Sequence, residues 1–227
     1  MLLLAGCQPR HGSGSTGMRR TLLAALAALA LLLVAGVSPA HAQVQTWHFK
    51  FKGLDAFAVY STVDSSGCVY TDVLLYGVDG RVKFGPGKPD AESAAVAIVD
   101  RYDACADKEL LGAFGYATLT PGQFQIDSQL NEASLTATIE LYDYVSDTSF
   151  PVSVDMDWVG HGDKVTVKDH FQMKSSGFKL NYKFSGTFRE STTAGAVSDG
   201  TTNFTPEPAV YADMGSLKEG EIAVARN

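Results

Sequence analysis

The sequence predicts an all-β protein of about ten strands, an antiparallel β-sandwich with a closed β-barrel as the second architecture. Three observations lead there. After position 43, apolar and polar residues alternate with period two over most of the chain, which turns one face of each segment to a core and the other to water. Short Gly-containing loops separate these segments, so neighbouring strands run antiparallel. Stretches with a helical period are scarce, and runs of strands without helices pack as sandwiches or barrels.

The N-terminal segment stands apart. Met18 is followed by Arg19-Arg20, an apolar run from 22 to 37, and Ser38-Pro39-Ala40-His41-Ala42-Gln43. A positive start, an apolar middle and a small-x-small site predict a signal peptide over 18–42, with Gln43 as the first mature residue. Pro39 ends the apolar helix ahead of the cleavage site. The chain is then exported, periplasmic or extracellular, with no stable membrane insertion after cleavage. Residues 1–17 read as an over-extended gene start. Leu4-Ala5-Gly6-Cys7 resembles a lipoprotein cleavage box, but too few apolar residues precede Cys7 to enter a membrane. A single domain over 43–227 follows, with a polar, loop-rich C-terminal part from about 190.

Within that domain, Trp47-His48-Phe49-Lys50-Phe51-Lys52 places aromatics on odd positions and polar groups on even ones, as a strand at a core surface does. Segment 56–63 is apolar on both faces and reads as a more central strand. Segment 68–76 is rich in Val, Tyr and Leu, and Gly77-Val78-Asp79-Gly80 after it reads as a turn. Between 91 and 115, Val96, Ile98 and Val99 favour strand, while Asp107-Lys108-Glu109-Leu110-Leu111 allows a short helix near 107–113. A short strand at 123–127 precedes a long one at 135–144. After Pro151 three segments alternate in turn, with Gly160-His161-Gly162-Asp163 and Ser175-Ser176-Gly177 between them. They predict a three-stranded meander. Its dry face is Val152, Val154, Met156 and Trp158, then Val165, Val167, Phe171 and Met173, then Phe178 to Phe184 in steps of two. Its wet face holds Asp155 and Asp157, with Lys168, His170, Lys174, Lys179 and Lys183. In this register Asp155 faces Lys168. The segment 210–227 reads as an edge strand or a trailing tail.

Three of the 18 Lys and Arg residues, Arg10, Arg19 and Arg20, precede position 43, leaving 15 against 25 acidic residues and a formal net charge of −10. Such an acidic protein repels phosphate backbones, so nucleic acid is not the expected partner. Cys68 and Cys105 are the cysteines left after the leader, and in an oxidising compartment they pair.

No GxSxG, HExxH, phosphate-loop or EF-hand motif is present, and nothing calls for a cofactor. Asp155, Asp157, His161 and His170, with Asp163 and Asp169 nearby, are the residue types that hold a metal. On the meander, however, the same carboxylates serve as cross-strand partners of lysines. Tyr70, Tyr76, Tyr142 and Tyr144 lie beside Asp72, Thr138 and Glu140, and such rings stack on sugars when exposed, although a sandwich would bury them as a second core surface. The expected function is a non-catalytic exported module that binds an unidentified ligand or surface polymer. The alternative is a metal-dependent hydrolase centred on Asp155, Asp157, His161 and His170.

Overall fold

A computed structural model describes residues 44–226, so the expected leader over 18–42 and the segment 1–17 lie outside the described residues. The domain consists of ten antiparallel strands: β1 (Val44–Val63), β2 (Val69–Phe84), β3 (Asp90–Asp103), β4 (Lys108–Thr118), β5 (Phe124–Ile126), β6 (Glu132–Asp143), β7 (Thr148–Gly160), β8 (Val165–Ser175), β9 (Phe178–Ser198) and β10 (Tyr211–Arg226). All belong to one sheet, in which β10 pairs with β1 on one side and with β9 on the other. That double pairing joins the two ends of the series β1-β2-β3-β4-β6-β7-β9-β10 into a ring, so the all-β antiparallel sheet takes the closed form. β5 and β8 stand outside the ring, paired with β6 and β9.

The ring interior is occupied by side chains of unequal size. β1, β3 and β4 contribute small residues, Ala56, Ala58, Ala95, Ala97 and Ala113, all fully buried. β6 and β7 fill the space with Leu135, Ile139, Leu141, Met156 and Trp158, each at most 1% exposed. Matching small positions to large ones across a core reaches interior packing density without strain. Two contacts cross the interior: Trp158 Nε1 donates to Phe57 O at 3.1 Å, and Tyr60 Oη approaches Met156 Sδ at 3.0 Å. Phe124 of β5 packs against Gly77, where a Cβ would lie 2.8 Å from its ring. Gly77 therefore makes room for Phe124 in mid-strand.

Several expectations change. Gly77–Gly80 is no turn, since β2 runs through it, paired with both β1 and β3. The segments 47–52 and 56–63 form one strand, β1. The proposed helix near 107–113 is instead the start of β4, which pairs with β3 from Lys108 opposite Asp103 onward and leaves Leu110 unpaired in a bulge. The C-terminal part is less loop-rich than expected: β9 continues to Ser198, and β10 is the strand that closes the ring.

The meander also changes. β8 and β9 form the expected hairpin, with Ser175 opposite Phe178. β7 and β8 do not pair. Both lie along the same edge of β9, β7 ending at the pair Gly160–Ser191 and β8 beginning at Val165–Phe188. Four residues on one side thus oppose two on the other, a bulge pinned by His161 N donating to Glu190 O at 2.8 Å and Arg189 Nε donating to Gly162 O at 3.2 Å. The dry face expected for β8 is consequently open: Val165, Phe171 and Met173 are exposed at 59%, 50% and 41%.

Candidate functional site

The outer face of β2, β3, β4 and β6 carries the largest group of exposed rings, and the strand register assembles it row by row. Leu74, Ile98, Phe114 and Tyr142 stand opposite one another across the four strands. One row away, Tyr76, Val96 and Tyr116 are paired, and on the other side Asp72 faces Asp100, which faces Gly112. Tyr70 is paired with Tyr102 in the row beyond. Since directly opposed residues share a face, these side chains form one surface. Tyr70, Phe114, Tyr116, Tyr142 and Tyr144 are 44–55% exposed, and Tyr102 is only slightly less so.

Three phenols on this surface are held by carboxylates. Tyr142 Oη donates to Asp147 Oδ1 at 2.6 Å, and Tyr102 donates to Asp107 Oδ1. Tyr144 Oη donates to Glu109 Oε1 at 2.9 Å and reaches Asp100 Oδ1 at 3.4 Å. Each bond disfavours the phenolate: Asp147 raises Tyr142, Asp107 raises Tyr102, and Glu109 followed by burial pushes Tyr144 up to about 12. Burial, with Glu109 and Asp72 nearby, raises the Asp100 carboxyl despite its bond from Tyr144. The Tyr144 ring lies across Gly112, where a Cβ would come within 2.1 Å of its Cζ. Glycine at 112 is therefore a condition for this ring position.

The same turn is built twice. Tyr102-Asp103-Ala104-Cys105-Ala106-Asp107 and Tyr142-Asp143-Tyr144-Val145-Ser146-Asp147 share Tyr-Asp-x-x-x-Asp. In both, the tyrosine bonds to the last aspartate, which has positive φ (52° at Asp107, 57° at Asp147). The middle aspartate caps the turn, Asp103 accepting from Cys105 N and Ala106 N and Asp143 from Val145 N, each at 2.9 Å. Cys68 and Cys105 are disulfide-bonded, tying the β1–β2 turn to the first of these turns.

The four expected tyrosines thus share one outer face: Tyr70, Tyr142 and Tyr144 are exposed and Tyr76 is half-buried. Burial as a second core surface does not occur, because the sheet closes on its other side. Phe114, Tyr116 and Tyr102 complete the surface and were not singled out from the sequence, although Phe114-Gly115-Tyr116 shows the alternation that marks them.

The expected metal ligands are not brought together. Asp155 and Asp157 project outward from β7, and Asp155 accepts from Thr136 Oγ1 at 3.2 Å instead of facing Lys168. Lys168 is opposite Ser185. His161 lies in the bulge, and His170, on the opposite sheet face, bonds to Asn181 at 3.0 Å. Asp157 lines a shallow outer cleft of about 530 Å³ with Asp127 and Glu132. Among the described residues, the one set of three His, Cys, Asp or Glu groups close enough to share an ion is Cys68, Asp103 and Cys105, whose sulfurs are already bonded to each other.

These features define a closed antiparallel barrel with a filled interior and an aromatic, carboxylate-edged outer surface. No protein-family model and no curated protein matches the sequence.

Proposed function

We propose that the protein is an exported, non-catalytic binding module that holds an uncharged sugar polymer on the outer face of β2, β3, β4 and β6. The observation that carries this reading is the set of exposed rings whose phenols are already fixed by carboxylates. Sugar rings stack their C–H faces on such surfaces, and neighbouring carboxylates such as Asp72 and Glu140 accept their hydroxyls. Rings ordered before the ligand arrives lose little entropy on binding. A filled interior leaves the outside as the place for a ligand, and the separation of Asp155 and Asp157 from His170 favours binding over metal-assisted hydrolysis. The leader-like segment and the disulfide support export.

Co-sedimentation with chitin, cellulose and insoluble β-1,3-glucan tests the proposal. Wild-type protein should pellet with at least one of them, and Tyr116→Ala or Tyr142→Ala should weaken this at least tenfold. Because both rings are half-exposed, either change should alter stability by about 1 kcal/mol or less. Wild-type protein that stays in solution with all three polymers, or variants that bind as it does, would refute the reading.

A further inference from the structure

Four strands, β2, β1, β10 and β9, continue beyond the ring and β8 joins them at the edge, giving an open sheet roughly 19 Å wide at ordinary strand spacing. Along β1 the positions that bury Ala56 and Ala58 are succeeded, at the same parity, by Lys52, Lys50 and His48. The inner face of the barrel thus turns from alanine to lysine where the ring gives way to the open sheet.

The register makes this face unusual. Lys50 stands directly opposite Lys83, and Lys52 stands between Arg81 on one neighbouring strand and Lys218 on the other. On the far side Lys174 faces Lys179, and Lys183 faces His170. With Lys168, nine of the 15 Lys and Arg residues after position 43 occupy this face where it extends beyond the ring, all but the half-buried Lys83 exposed, and the half-buried Arg189 follows at the same parity where β9 reaches the ring. Asp79 is the one carboxylate that these strands place on that face. Like charges directly opposed across strands are destabilising, and here they recur without interleaved acids. Folding does not require this arrangement, whereas an anionic ligand spanning the strands would relieve it.

We infer that this face is a docking site for an anionic polysaccharide, a chain bearing carboxylates or sulfates. Charge complementarity selects a polyanion. The face carries no Phe, Tyr or Trp on which bases could stack, which disfavours single-stranded nucleic acid. The rest of the molecule is strongly acidic and would repel a duplex or an anionic membrane extending past the face. This site is separate from the tyrosine surface, so either can fail without the other.

Binding of fluorescently labelled polygalacturonate and heparin would be measured between about 20 and 200 mM salt, for wild type, Lys52→Glu and Lys108→Glu, the same charge change on β4 outside the open sheet. Wild-type protein should bind at least one glycan with strong salt dependence. Lys52→Glu, which inserts an acid between Arg81 and Lys218, should lower affinity at least tenfold and flatten the salt slope by one or more, while its melting temperature holds or rises. That combination separates lost binding from lost folding. Lys108→Glu should bind both glycans nearly as wild type does, and a loss as large as that of Lys52→Glu would mean that net charge and not this face decides binding, which also overturns the inference. No binding of either glycan at low salt, or full binding by a folded Lys52→Glu, would overturn the inference. So would tighter binding of a DNA duplex or of phosphatidylglycerol vesicles than of either glycan.

Discussion

Glu219 shows how one residue links the open sheet to pH. It lies on the aromatic side of β10, opposite Phe51 and Phe184, next along the strand on that face from the buried Glu221. Burial raises its carboxyl to about 7, with Glu221 adding to the shift and a bond from Tyr182 opposing it. Burial likewise raises Glu221. A carboxyl raised in the folded state is bound to its proton more tightly there than in the unfolded chain, so its contribution is present below the ordinary value near 4.5 and is lost as pH rises through about 7. The shift corresponds to at most about 3 kcal/mol, and partial solvent contact reduces it. Glu219→Gln should therefore gain stability relative to wild type between pH 5 and pH 8, read from urea midpoints across that range. A variant whose difference from wild type does not change with pH would contradict the assignment.

At the scale of elements, the sequence was most legible where one face meets the core. In β6 and β7 the alternation of Leu135 to Leu141 and of Val152 to Trp158 matches burial residue by residue. β8 alternates too, broken at Asp169, yet a pattern reports which face is apolar and not whether another layer covers it. The β7–β8 hairpin was misread for a related reason: the short Gly-rich segment between them obeys local hairpin rules, but both strands are claimed by β9, up to 45 residues on at the pair Ser153–Ser198. The tyrosine surface was legible as residues and not as a place, because β2 carries bulky side chains on both faces and parity alone does not say which is inside. The disulfide, by contrast, followed from counting. It closes a loop with a sequence separation of 37 residues, for which chain entropy gives about 4 kcal/mol. Replacing both cysteines by alanine should cost about 2–4 kcal/mol by urea unfolding under oxidising conditions. A reductant should lower wild-type stability to the level of this variant and leave the variant unchanged.

For the whole molecule, closure depends on β10, and the contrast between β10 and β8 makes that measurable. β10 pairs along nearly its whole length with β1 and over much of it with β9, and it buries Met214, Leu217 and Ala223. β8 pairs with β9 alone and is exposed at nearly every position. Amides opened only by global unfolding report the full stability, whereas those of a one-sided, solvent-exposed strand open locally at much lower cost. Hydrogen exchange should therefore find the inner amides of β10 among the slowest in the protein and those of β8 at least about 100-fold faster, a difference of roughly 2.7 kcal/mol in opening free energy. Removing residues 210–227 extends the test. The shortened chain would leave β1 and β9 as long unpaired edges and expose the inner residues that Met214 covers, so it should lose the cooperative unfolding transition and aggregate. If β8 proved as protected as β10, or if the shortened chain still unfolded in a single sharp transition, β10 would not be the strand on which the closed sheet depends.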